Sequence, residues 1–339
     1  MKRVLALALL AFATVKGQAQ QPDPQCAPGN QVSSPATYYT SDACQKAVDL
    51  FRYMAPQLGV SLTGGNALLG TGSTVGGLGH AKFEVRVNGL WGSVPNVQNA
   101  APAAGPYQQT TYTTKTQVLG LPAAAAEIGL FKGLSLPLTR VGGIDALVTA
   151  TYIPDYNGNS VAVKATGGNL KWGYGARLGL LEESLLVPGV SFTWLRRDLP
   201  TIDIAGSVPT GNGTTTTLQV NGLTEQTTAW RLVASKSLIL LNIAAGVGQD
   251  KYDSKADVNA SVSFGPFTGS RPSAVKMEQN LTRTSYFADL SMNLLILKLI
   301  GEIGMVSGGT VTTYNKFDRP ADKSRLYGSI GARLDFPPF

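Results

Sequence analysis

The chain has 339 residues, of which only 14% are charged, with 39 glycines, one histidine and a formal net charge of +7. Mean hydropathy is near zero at +0.05, and no apolar run reaches the roughly 18 residues of a helical membrane span, so helical spanning is excluded. Basic residues are scattered and form no stripe, which leaves a nucleic-acid role without support.

The N-terminus carries an address. Lys2 and Arg3 precede an apolar run from Val4 to Val15, and Gly17-Gln18-Ala19 supplies small residues at a cleavage point. These are the three parts of a secretory leader, with cleavage expected after Ala19 and residues 1–19 removed. Losing Lys2, Arg3 and Lys16 would lower the net charge to +4. Cys26 and Cys44 are the only cysteines. In an exported chain such a close pair most simply forms one disulfide. Asp-Pro-Gln ahead of Cys26 lacks the small-residue box of a lipoprotein, and two lone cysteines do not make a metal site; no metal or cofactor is expected.

Residues 20–40 read as an extended arm. Ser41 can cap a helix, and Val48, Leu50, Phe51 and Met54 follow helical spacing, so the pattern predicts a short amphipathic helix over 42–54 that Pro56 stops. Residues 59–80 are rich in glycine, without the spacing of a phosphate-binding loop. They are expected to pack closely as a luminal plug or as a tight first hairpin. His80 ends this segment. One histidine and no Gly-x-Ser-x-Gly elbow argue against an enzyme, and His80 reads as a structural residue.

Alternation with a period of two then takes over. In 81–91, Ala81, Phe83, Val85, Val87 and Trp91 oppose Lys82, Glu84, Arg86 and Asn88. Residues 92–110 are a loop, and 111–131 form a strand kinked at Pro122. Further strands are expected at 143–153, 169–181, 184–198, 227–236, 239–247, 283–293 and 295–305. The last, 325–336, sets Leu326, Ile330, Leu334 and Phe336 against Arg325, Arg333 and Asp335 and should pair with 81–91 or their neighbour. Tight turns near 182, 237 and 294 alternate with long connections at 154–168, 199–226, 249–282 and 308–324. Asp250, Asp253 and Asp257 are spaced loosely enough to suggest a surface Ca²⁺ at most, and read as solvated loop charges.

Strands of about 10–13 residues, with whole charges repeated on the polar face, suit a bilayer better than a packed soluble core. The fold expected is therefore all-β: an antiparallel transmembrane meander barrel of about twelve strands, with ten to fourteen open, over 81–339. Residues 20–80 would be an N-terminal arm, short helix and plug segment. The inward face offers Lys82, Glu84, Arg86, Lys171, Arg177, Arg231, Asp289, Lys298, Glu302 and Arg333 as lumen-lining candidates. Their mixed signs favour cross-strand ion pairs over a selectivity lining.

The leader, the long alternating strands, the short-and-long loop rhythm and the aromatic near the C-terminus resemble Gram-negative outer-membrane β-barrels. Pro337 and Pro338 depart from that family's terminal pattern, and Phe336 would have to serve as the final aromatic. A helix and glycine-rich segment ahead of the barrel resemble, more loosely, the FadL-like transporters of hydrophobic compounds. The resemblance implies the outer membrane as location, with lipid, lipopolysaccharide and the barrel-assembly machinery as partners. It also implies a plugged channel for a small apolar compound. The other reading is a closed barrel with a structural or adhesive role through its long loops.

Overall fold

The computed structural model describes residues 21–27, 35–96, 108–158, 161–209, 214–264, 267–270, 273–294 and 296–336. The expected leader and its cleavage point lie outside the described residues, as do Pro337 to Phe339.

Ten strands close a ring: β1 (Ala81–Pro95), β2 (Thr114–Phe131), β3 (Gly143–Tyr152), β4 (Leu170–Leu181), β5 (Gly189–Asp198), β6 (Thr214–Leu238), β7 (Leu241–Phe264), β8 (Val275–Leu294), β9 (Leu297–Ser307) and β10 (Arg325–Phe336). Each pairs antiparallel with the next. The ring closes through β10 on β1, in a register running from Ala81↔Phe336 to Leu90↔Tyr327. Closure leaves no strand edge in the apolar medium, where an unpaired peptide group has no water to turn to. The strand number is the lower bound of the expected range, because the β-prone pieces of the long connections lengthen existing strands. Within the connections 199–226 and 249–282 the sequence offers β-prone pieces, Thr214 to Val220 and Val258 to Phe264, that can extend strands or form another hairpin; they extend them, and β6 and β7 run for 25 and 24 residues. Their far halves carry Ile202–Pro209, Val161–Ala165 and Tyr156–Asn157 on one side and Phe267–Ser270 on the other.

The two faces of the ring differ as their alternation requires. Phe83, Val85, Val87 and Trp91 on β1 are exposed, while Glu84, Arg86, Asn88 and Leu90 between them are buried. The same holds on β8, where Tyr286, Leu290 and Met292 face out and Phe287, Asp289 and Ser291 face in. An apolar outer face over a polar buried inner face is the layout of a transmembrane barrel. Among the described residues, no helix is long and apolar enough to cross a membrane.

The lumen is occupied. Helix α1 (Pro35–Thr63) spans 29 residues, longer at both ends than the 42–54 expected, and continues through Pro56. Proline removes the donor that would bond the carbonyl four residues back. Here that carbonyl, Arg52 O, accepts from Gln279 Nε2 of β8 at 3.3 Å. The wall thus replaces the missing helical bond, and the helix is not broken. From Thr63 the chain runs as irregular coil to His80, with no strand, so the hairpin alternative falls. Residues 41–49 and 59–72 are buried.

Candidate functional site

The wall charges hold the backbone of this luminal segment. Arg86 Nη1 donates to Asn66 O at 2.8 Å, Arg231 Nη2 to Gly64 O at 3.2 Å and Arg177 Nη1 to Ser73 O at 3.3 Å. Arg333 reaches Leu69 O, and Arg197 reaches Thr63 O. Carboxylates take the amides: Glu302 accepts from Gly65 N and Asn66 N at 3.0 and 2.6 Å, Glu84 from Leu69 N at 2.8 Å, and Asp289 from Gly70 N at 2.7 Å. An irregular chain inside a barrel has no ladder partners for its peptide groups, so side chains must satisfy them. Glycine permits the path. Gly70 has φ +69, and a Cβ on Gly129 of β2 would meet the Gly77 carbonyl oxygen at 2.2 Å.

The ion pairs lie beneath these contacts. Arg177 meets Glu127 at 2.8 Å and Arg231 meets Asp250 at 2.7 Å, all four buried. Lys298 and Arg333 share Asp335 at 2.8 and 2.9 Å. Lys82 is half-buried opposite Glu127 and Asp335 in the register. Lys171 keeps the inward alternation but stands at the second position of β4, exposed at the long-loop rim away from the luminal segment. Glu127, Asp145, Glu182 and Arg197, which the sequence reading does not place in the lumen, complete the cradle together with Asp250. Arg197 and Glu127 carried the signal, since each sits at the inward parity of an alternating strand. Asp250 is corrected: it lies within β7, buried, not in a solvated loop.

At the long-loop end the first half of α1 is tied to its surroundings. Cys26 and Cys44 are joined by a disulfide, and both pack with Val258, Val262, Val275 and Met277 of the projecting sheet. Asp49 accepts from Tyr314 N at 3.0 Å and from Asn315 N and Nδ2 at 2.8 and 2.7 Å. Tyr53 stacks on Phe317 at 4.1 Å, and Phe317 stacks on Tyr112 at 5.1 Å. The connection 308–324 is thereby folded over the lumen, and Arg283 bonds both of its ends, Gly308 O at 2.9 Å and Lys323 O at 2.8 Å.

Beside α1 at this mouth is an apolar cavity of about 260 Å³, lined by Leu50, Phe51, Met54, Leu58, Ile204 and Leu218 among others. At the short-turn end is a polar basin of about 510 Å³ that includes Lys82, Arg140, Glu182, Lys236 and Arg333. The luminal segment separates the two. Among the described residues, no group of His, Cys, Asp or Glu has the arrangement of a metal site.

No protein-family model matches the sequence, and no curated protein matches it. The solved structures it resembles are outer-membrane β-barrel proteins. They include Ail of Yersinia pestis in complex with sucrose octasulfate, at 11% identity over 76% of this chain and 99% of that one, with a TM-score of 0.23. The toluene transporter TodX of Pseudomonas putida matches at 11% identity over 76% of this chain and 88% of that one, with a TM-score of 0.31. OmpT of Vibrio cholerae matches at 8% identity over 76% and 97%, with a TM-score of 0.21. Likenesses this distant transfer no residue role. The expectation that the chain is not an enzyme does not stand: a lone His80 and a missing Gly-x-Ser-x-Gly elbow exclude only the chemistry that needs them.

Proposed function

We propose that this chain is exported by its N-terminal leader to the outer membrane of a Gram-negative cell. Residues 20–80 there act as arm and plug, and 81–339 form a barrel that admits a small apolar compound. The long loops face outward and the short turns face the periplasm. The observation that carries this reading is the apolar cavity at the outward mouth. It is built from one face of α1, the tops of the wall and the projecting sheet, so any ligand in it bears directly on the plug helix. A cavity with apolar walls and few polar groups selects for hydrophobic ligands. The toluene transporter TodX gives the reading a precedent among barrels. Lipopolysaccharide and the barrel-assembly machinery are the partners such a location entails.

The test has two arms. Met54→Trp fills the cavity, and binding of N-phenyl-1-naphthylamine to the folded protein should weaken at least tenfold. Glu302→Ala removes the acceptor of two plug amides, and single-channel conductance in planar bilayers should rise. Unchanged binding and unchanged conductance together overturn the reading. The second reading, a surface role for the projecting sheet, is favoured by the length of β6 and β7. It predicts that shortening both strands abolishes binding of partner cells while naphthylamine binding persists.

A further inference from the structure

The short connections of the barrel carry large aliphatic side chains where a water-facing turn needs none. Ile239 is 98% exposed and Leu185 91%, with Leu186, Leu136, Leu138 and Ile296 also exposed. They belong to four separate connections, 132–142, 182–188, 239–240 and 295–296, spaced around the ring. Exposed apolar surface on this scale marks a contact with another apolar phase.

That phase is identified by continuity. Leu238 and Leu241 flank the Ile239-Leu240 turn and are themselves exposed, as is Leu294 ahead of the last turn. On β7 and β8 no polar residue stands on the outward face between the belt and these turns, while on β6 Lys236 lies between Ala234 and Leu238 and its ammonium donates to Ser184 O and Leu185 O of the neighbouring turn. The height agrees. On β8 the outward Tyr286 precedes Ile296 by ten residues, which at a tilt near 45° amounts to roughly 23 Å, close to the ~25 Å apolar band of such barrels. The rim is also cationic. Lys132 and Arg140 bracket the leucines of the first connection and, among the described residues, no hydrogen bond or ion pair engages their side chains. The acids nearby are engaged: Glu182 with Thr74, Glu183 with Ser237 N, and Asp335 with Lys298 and Arg333.

We propose that the short-turn rim is immersed in the adjoining lipid leaflet, with the turn side chains among acyl chains and the exposed Lys132 reaching the phosphates of anionic phospholipid. A protein partner would call for one contiguous patch, whereas these residues ring the barrel and merge with the lipid-facing belt. The long side chain of a lysine beside an apolar turn can carry its charge to a head-group boundary.

Ile239→Cys and Leu185→Cys, each labelled with an environment-sensitive maleimide, report on this in the full-length protein, whose native cysteines are bonded to each other. The reconstitution uses vesicles of phosphatidylethanolamine and phosphatidylglycerol. Quenching by doxyl-labelled acyl chains should match a belt control, Leu290→Cys, and aqueous iodide should quench several-fold less than at Lys255→Cys, an exposed control in the far half of β7. Strong iodide quenching with weak doxyl quenching places the rim in water, as a protein-docking surface would be in these vesicles, and overturns the proposal. Protection from both quenchers that disappears on diluting protein into lipid indicates contact between copies and overturns it equally. Lys132→Gln should reduce the preference for spin-labelled phosphatidylglycerol over phosphatidylcholine at least twofold; an unchanged preference removes the head-group part.

Discussion

Arg231 and Asp250 face each other across β6 and β7 at 2.7 Å, both buried, and the same guanidinium bonds Gly64 O and Gly65 O of the plug. One side chain therefore joins two wall strands to the segment that fills them. Arg231→Ala strands the Asp250 carboxylate and should destabilise the folded barrel by about 3–5 kcal/mol. Arg231→Ala with Asp250→Ala should recover part of that loss. Urea unfolding in detergent micelles, followed by heat-modifiable migration, measures both. Equal destabilisation in the single and double variants would mean that the loss comes from the plug bonds alone.

The loop over the outer mouth should respond to acid. Asp318 lies in that loop and accepts from Thr114 Oγ1 at 2.6 Å and from Thr114 N at 3.1 Å. The Thr114 hydroxyl, then its amide, hold the Asp318 carboxyl below the ordinary carboxylate range. A carboxylate whose folded pKa is depressed supports the fold above its unfolded value, and that support vanishes as pH falls through the folded one. Protection of 308–324 from protease should thus be full at pH 6 and reduced near pH 3. In Asp318→Asn the same step should be missing; if acid opens the loop equally in that variant, another group is responsible.

Helix α1 offers a cycle. Gln279→Leu leaves Arg52 O without its substitute donor, at a cost of about 1–2 kcal/mol. Pro56→Ala restores the helical N–H to that carbonyl, so in this background Gln279→Leu should cost far less. Denaturant midpoints of the four proteins give the coupling, and additive effects would show that the carbonyl does not link the two residues.

Strand placement was legible because lipid and lumen impose opposite demands on neighbouring residues, as Phe83 and Glu84 show. The seam pairing of 81–91 with 325–336 followed from meander order. Helix length was not legible. Pro56 is a stop signal in any local reading, and the donor that overrides it lies 223 positions away in sequence, at Gln279. The purpose of the inward charges was half legible. Mixed signs pointed to mutual pairing, but Glu302 and Arg86 serve peptide groups of the plug, and no side-chain pattern announces a backbone partner. Asp250 was misplaced for a related reason: strands that outgrow the membrane keep alternating where loop composition has begun.

The seam between β1 and β10 also holds the plug. β1 carries Glu84 and Arg86, whose partners are Leu69 N and Asn66 O, and β10 carries Arg333, whose partner is Leu69 O. The two strands that close the ring are thus bridged by a segment that precedes both of them in the chain. Seating that segment and closing the ring draw on the same side chains, so displacing it removes bonds from both sides of the seam at once.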